Sequence, residues 1–425
     1  MKTTRRRFLG TAALGSLAAG RMVHAAGREP VIRLGIVGVG WYGMVNARAA
    51  LNAGGAEVVA VCDVDAAHLE NSAGELEELQ GKRPATFKHY EELLALDELD
   101  AVVIATPPQW HALQFLAAIE RGLDVYCEKP LAYDVREGRA MVDAAQASDR
   151  VVQIGFQRRQ AKALQEVREF VAAGEAGEIV QVDAQIHYRA GLKDSTPQDP
   201  PETLDWDLWC GPAPKIPYSP QVGHFHWRLE KTTGHGHLVD WGIHLVDAVR
   251  RILDLETPKL TTAAGGLYHY QGRITTPDTL TAHFEFDRCP LVWRHRLWGA
   301  EEYTPEVNNG IFLFGTGATV FASDDRWVVI PNGRPEQRRE YRARTDAGLL
   351  HVADFLEAVR ERREPSCTIE DGYQSTTTVQ LGMIALDSVS SVEWDATAET
   401  IVDNPAAAAL LKREYRAPWV HPYGG

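Results

Sequence analysis

Val31-Ile32-Arg33-Leu34-Gly35-Ile36-Val37-Gly38-Val39-Gly40-Trp41-Tyr42-Gly43 carries the reading of the fold. The run from Val31 to Val37 is β-branched and apolar, the pattern of a strand buried in a parallel sheet. It breaks into G-x-G-x-x-G and then a helical stretch, Met44 to Asn52. Gly38 permits a tight turn, Gly40 lets the backbone approach a pyrophosphate, and Gly43 lets helix and strand pack closely. The helix N-terminus adds free N–H groups and the positive end of its dipole. A second apolar strand, Glu57 to Cys62, ends at Asp63, 20 residues past Gly43. A carboxylate there grips the ribose hydroxyls of a dinucleotide and repels a 2′-phosphate, which favours NAD over NADP.

The strand–helix rhythm continues. Leu99 to Ala105 reads as a strand and runs into Thr106-Pro107-Pro108 and a helix through Trp110 to Arg121. Leu123 to Cys127 is another strand, ending at Glu128-Lys129-Pro130-Leu131, and Val151 to Gly155 closes the series. Ligands of open parallel sheets sit outside the carboxyl ends of the strands. Gly38, Asp63, Thr106, Lys129 and Gly155 all fall at such ends, so they line one crevice.

From about Gly177 the period changes. Ile179–Tyr188 alternates like a half-buried strand, and similar runs recur at Leu260–Tyr270, Thr279–Phe286, Leu291–Trp298, Gly310–Phe314 and Ala318–Ala322. The expected fold class is an α/β Rossmann domain with a parallel sheet (31–155), then an α+β domain with a large open antiparallel sheet (156–425). Helices near His351–Arg363 and Tyr373–Val389 are expected to pack back on the first domain.

The composition is that of an ordinary globular chain: 425 residues, 45% hydrophobic, 24% charged, net charge −14. That acidity excludes nucleic acid as a partner, since no basic excess is available to neutralise phosphates, and it argues against docking on an anionic membrane. Thr4-Arg5-Arg6-Arg7-Phe8-Leu9, the small apolar stretch Gly10–Gly20 and Val23-His24-Ala25 read as a twin-arginine signal peptide over residues 1–26. The apolar run is too short for a permanent anchor, so no membrane contact is expected after its removal. Removing Lys2, Arg5, Arg6, Arg7 and Arg21 leaves the remainder more acidic still. Five scattered cysteines form neither a disulfide framework nor a CxxC pattern. This suits a protein that folds with its cofactor in the reducing cytoplasm before export to the periplasm.

These motifs resemble those of the Gfo/Idh/MocA family, that of glucose–fructose oxidoreductase and inositol dehydrogenase. The resemblance rests on Glu128-Lys129-Pro130, on Ala105-Thr106-Pro107-Pro108-Gln109-Trp110-His111, on Asp240-Trp241-Gly242-Ile243-His244 and on the glycine fingerprint. The twin-arginine start and Trp206-Asp207-Leu208-Trp209-Cys210-Gly211-Pro212 look like its exported bacterial branch. It implies NAD held by Gly38, Gly40, Trp41, Tyr42, Gly43, Asp63, Thr106, Pro107, His111, Glu128 and Lys129, and a homo-oligomer, dimer or tetramer. It further implies that Lys129, Asp240 and His244 carry the chemistry. An alcohol being oxidised needs a base for its proton as hydride leaves carbon; His244 is that base, and Lys129 favours the developing alkoxide. Asp240, at i,i+4 from His244 on a helix, orients the imidazole or binds a neighbouring hydroxyl. Asp247 is read as structural, and His235 as a departure from the family pattern.

The expected substrate is a small carbohydrate or polyol, contacted by Gln157, Arg158, Tyr188, His226 and His237. His237, Asp240 and His244 also have a spacing that can present a divalent metal; polar pocket lining without a metal is the reading adopted. Three functions stay open: a dehydrogenase of a sugar, glycoside or cyclic polyol; an NAD-dependent glycoside hydrolase or lyase working through a transient keto-sugar; and a sugar-binding protein without turnover. Export favours a tightly bound NAD, because free NAD is scarce outside the cytoplasm.

Overall fold

The computed structural model describes residues 31–300 and 308–424; the leader expected over 1–26 lies outside them. The first strand, β1 (Ile32–Val37), is buried along nearly all its length, as a strand covered on both faces must be. After it come α1 (Tyr42–Ala53), β2 (Ala56–Cys62), α2 (Ala66–Gln80), β3 (Ala85–Phe87), α3 (Tyr90–Leu94), β4 (Ala101–Ile104), α4 (His111–Glu120), β5 (Asp124–Glu128), α5 (Val135–Gln146) and β6 (Val152–Gly155). The strands pair in parallel in the order β3-β2-β1-β4-β5-β6. The order reverses between β1 and β4, and a crevice opens there at the carboxyl ends.

The remaining elements are α6 (Lys162–Ala172), β7 (Ile179–His187), α7 (Trp206–Cys210), α8 (Ile243–Leu253), β8 (Leu260–Gly266), β9 (Thr279–Glu285), β10 (Pro290–Arg296), β11 (Asn309–Gly315), β12 (Ala318–Ala322), β13 (Arg326–Pro331), β14 (Arg339–Arg342), α9 (Ala347–Glu361), α10 (Ile369–Asp387), β15 (Val392–Asp395), β16 (Thr400–Ile401) and α11 (Pro405–Ala409). Ten strands form one sheet in the order β14-β13-β12-β11-β7-β10-β9-β8-β15-β16. The sheet is mixed rather than wholly antiparallel as expected: β7 and β10 run parallel at its centre. Alternation along a strand reports which face is buried, not the direction of its neighbour, so this pairing was invisible in the pattern. The strand expected to reach Tyr270 stops at Gly266, because the carboxylate of Asp278 takes the backbone N–H groups of Tyr268, His269 and Tyr270 away from any ladder.

α9 packs on α1 and α10 on α5. One apolar core runs from the parallel sheet into the large one: Leu131, Ile154 and Phe156 belong to the same buried cluster as Val182, Leu238, Val246 and Tyr373. Residues at the junction are therefore fixed from both sides. No helix among the described residues is long and apolar enough to cross a membrane.

Candidate active site

The crevice beside β1 is a cavity of about 310 Å³ whose wall includes Gly38, Gly40, Trp41, Tyr42, Asp63, Thr106 and Pro107. Gly38 has φ +88°, and a Cβ there would lie 2.8 Å from the backbone of Ala105 and Thr106. At Gly43 a Cβ would lie 1.9 Å from the Gly38 carbonyl oxygen, a contact no side chain tolerates, so Gly43 shapes the loop from behind and is not part of the wall. Asp63 accepts the N–H groups of Val39 (2.9 Å) and Asp65 (3.0 Å). Its carboxylate thus holds the glycine loop while facing the cavity; burial raises its pKa and His68 opposes the rise. A bare-backbone cradle next to a strand-end carboxylate fits a dinucleotide.

A second cavity, about 630 Å³, shares Trp41, Tyr42, Ala105, Thr106, Phe225, Trp227 and Arg228 with the first. Lys129, Arg158, Tyr188, His226, His237, Asp240 and His244 line it, so the expected catalytic residues meet in one space. Lys129 follows β5 and donates from Nζ to Asp240 Oδ1 (2.9 Å) and to the Asp240 carbonyl (2.5 Å). Arg228 donates to the same Oδ1 at 3.1 Å. Burial alone would push the Asp240 pKa up, but these two cations overcome it and hold it at about 2.

His244 sits at the start of α8, and burial, with Lys129 and Arg158 nearby, drives its pKa well below 6.5. It is neutral at neutral pH and able to accept a proton. Nδ1 of His244 and Nε2 of His237 are buried without a hydrogen-bond partner among the described residues. An unpaired buried polar atom is costly, and here two belong to residues that line one cavity. Tyr188 packs on the His237 ring with centroids 4.8 Å apart. Arg158 lies over Trp241 at 5.7 Å and pairs with Asp324 at 3.3 Å.

Several expectations change. Residues Leu238–Gly242 form a π turn before α8. The wider turn breaks the regular i,i+4 register, and Asp240 binds Lys129 and Arg228 instead of orienting His244. Such turns recur at functional sites. His111, expected on the cofactor, is buried with its ring nitrogens on the carbonyls of Pro130 (2.9 Å) and Thr106 (2.8 Å). It fixes the two loops that carry Lys129 and Thr106 and does not reach the cavity. Glu128, also expected on the cofactor, accepts from Asn46, Gln157 and the Lys129 N–H. It lines only the second cavity, and burial raises its pKa to about 7. Gln157 lines that cavity as well, but its amide NH2 is taken by Glu128 (2.9 Å) and the Tyr126 hydroxyl (3.3 Å), leaving no donor for a substrate. His235 bonds the Tyr133 carbonyl and packs on the Tyr133 ring, outside both cavities. Trp206 and Trp209 stack at 4.5 Å; Trp209 lines the first cavity. His237, Asp240 and His244 are not among the described trios whose ligand atoms lie within 4.8 Å of one another, which are Asp65–His68–His224 and Asp134–Glu137–His421.

Two participants stand outside the expected site residues. Arg228 links the halves: it pairs with Asp240 and lies 5.5 Å from the Trp41 ring of the glycine loop. Its run of aromatic and basic neighbours was a visible signal, but only the fold shows which of them points inward. Trp419 lines the first cavity from the far C-terminal segment, and no local pattern announces it.

Residues 32–156 match the model of an oxidoreductase family with an NAD-binding Rossmann fold, and residues 177–421 match the α/β C-terminal domain of the same family. Inositol 2-dehydrogenase 3 of Saccharopolyspora erythraea is 36% identical over 148 residues, 34% of this chain and 42% of that protein. The rhizopine catabolism protein MocA of Rhizobium meliloti is 28% identical over 54% of this chain and 60% of that protein. The chain spans about half the length of the curated relatives it matches. Among solved structures, an oxidoreductase of Thermotoga maritima superposes with TM-score 0.66 at 23% identity, over 85% of this chain and 98% of that one. A levoglucosan dehydrogenase in complex with NADH and levoglucosan gives TM-score 0.66 at 18% identity, over 85% and 99%; at these identities the likeness is one of fold. With both of its domain models matched in order, the chain belongs to the Gfo/Idh/MocA family of NAD-binding oxidoreductases.

Proposed function

We propose that this protein oxidises a hydroxyl of a sugar, glycoside or cyclic polyol with NAD as hydride acceptor. The observation that carries the reading is the shared wall: Lys129, Asp240 and His244 line a cavity that has Trp41, Tyr42 and Thr106 in common with the dinucleotide cavity. NAD, when bound, supplies the hydride-accepting carbon. Gly38, Gly40 and Asp63 would hold its phosphates and ribose.

Lys129, kept in place by the Asp240 carboxylate, presents a cation to the substrate oxygen as negative charge develops on it. His244 takes the hydroxyl proton. Nδ1 is closed in, which leaves Nε2 to take that proton. Tyr188, His226, His237 and Arg158 supply the flat faces and donors that a polyhydroxylated ring requires. Inositol and levoglucosan, named for relatives, are substrates of this kind.

The test incubates purified protein with NAD and a panel of sugars, polyols and glycosides, following reduced nicotinamide and chromatographing the products. Reduction of NAD with a keto-product is expected, and Lys129→Met abolishes it. A protein that transfers no hydride with any panel member, and releases no NAD on denaturation, overturns the reading. Cleavage of a disaccharide without added NAD assigns the transient-oxidation hydrolase or lyase instead.

Export by the twin-arginine route is part of the proposal. Its support is the Arg5-Arg6-Arg7 motif together with five cysteines that are all free and buried, as befits folding before export. Self-association is proposed as well, on the face of the large sheet where half-buried Phe312 and Phe314 stack at 6.2 Å.

A further inference from the structure

The segment after α11 contains neither helix nor strand, yet ion pairs pin it to the start of α5 and to α7. Arg413 donates to Glu137 (2.8 Å) and to the Gln109 carbonyl (2.9 Å), and lies 4.1 Å from the Tyr133 ring centre. His421 bonds Asp134 at 3.1 Å, and Arg416 reaches Asp207 (2.8 Å) and the Gly211 carbonyl (3.1 Å). Ordering an irregular segment costs backbone entropy; anchors of this kind are what offset it.

Between Arg416 and His421 the chain places Trp419. Its ring meets Trp110 edge to face at 5.5 Å, with the Arg416 guanidinium 4.9 Å from its centre. Trp419, Trp110, Tyr90 and Trp209 line the dinucleotide cavity, and none of them lines the reaction cavity. This aromatic wall thus belongs to the dinucleotide cavity alone. A dinucleotide whose nicotinamide reaches His244 would have its adenine in this cavity, within reach of that wall.

We propose that the C-terminal segment is a strap over the adenosine half of NAD, with Trp419 stacking on or edging the adenine. This rests on the reading of the two cavities as an NAD site. Because the strap is held by Arg413 on the fully buried Glu137, release of the cofactor requires displacing Trp419 while its anchors hold. The strap makes NAD a resident group rather than a freely exchanging cosubstrate.

The test compares full-length protein with Trp419→Ala and Trp419→Phe, stripped of nucleotide, for binding of NADH, ADP-ribose and reduced nicotinamide mononucleotide by calorimetry. A lost base–aromatic stack weakens NADH and ADP-ribose about tenfold in Trp419→Ala. Affinity for the mononucleotide, which lacks adenosine, stays unchanged, and Trp419→Phe recovers most of the loss. NADH also leaves Trp419→Ala faster in a trap experiment. ADP-ribose affinity within about twofold of the parent, or an equal loss for the mononucleotide, overturns the strap and leaves the NAD site standing. A parent protein that binds neither NADH nor ADP-ribose overturns the NAD reading and the strap together.

Discussion

Asp240 and Asp247 lie seven residues apart on one helical stretch, both buried and both paired with arginine. Their surroundings differ in one respect. Asp247 receives Arg159 twice (2.9 and 2.7 Å) and Ser375 (2.7 Å), and Arg159 is met in turn by Asp371 at 2.8 Å. That cluster is saturated and joins α8 to α10. Asp240 faces a cavity, its two cations are also in the cavity wall, and the imidazoles beside it have unpaired nitrogens. Buried charge by itself does not mark a working site, because structural networks are built from the same residues. The mark is a charged cluster left incomplete at the edge of a space that a ligand fits.

The comparison breaks most sharply at Lys129. Lys129→Met removes the cation facing the reacting oxygen, and turnover falls on the order of 10³-fold, while NAD release on denaturation is retained. Asp247→Asn leaves Arg159 buried without its main anion. Denaturant melts then show a loss of about 3–5 kcal/mol, with turnover at permissive temperature within about threefold of the parent, as expected for a change in folding rather than chemistry. If turnover collapses while stability holds, the two aspartates have been assigned the wrong way round.

Asp240→Asn lowers kcat/KM about 10²-fold by releasing Lys129 and Arg228 from their shared anchor. Its melting point drops less than that of Asp247→Asn, since its cations border the cavity. Acid melts sharpen the contrast further. The Asp240 pKa is depressed from 3.8 to about 2, so its pairing stabilises the fold above pH 3.8 and is lost as pH falls through 2. Linkage makes this about 2 kcal/mol, and the loss between those pH values is absent in Asp240→Asn. The smallest effect is on the pH profile. With the His244 pKa depressed, the acid limb of kcat/KM has its midpoint below 6.5. A midpoint at or above 6.5 assigns proton transfer to another group.

Much of this was legible before any coordinates. The glycine loop, Asp63 and the strand ends follow from local rules: a tight turn, a close backbone approach and β-branched periodicity each leave a mark within a few residues. Lys129, Asp240 and His244 were legible through motif resemblance. The departures at His111, Glu128 and Gln157 share a cause. Each is a polar residue next to the site whose partners come from elsewhere in the chain, so its side chain was already engaged. The π turn at Leu238–Gly242 escaped because one added residue in a helical turn leaves the hydrophobic pattern almost unchanged.

The dinucleotide half and the candidate reacting groups can be read along the chain, because they depend on residues near one another in it. Which of those groups are free to act follows from how distant segments pack. Hydrogen-bond partners are shared out across distances of a hundred residues and more, as between Lys129 and Asp240 or Arg413 and Glu137. That packing also decided the parallel pairing of β7 with β10 and the arrival of Trp419 at the cofactor cavity. Both depend on how distant segments come together, which no local periodicity encodes.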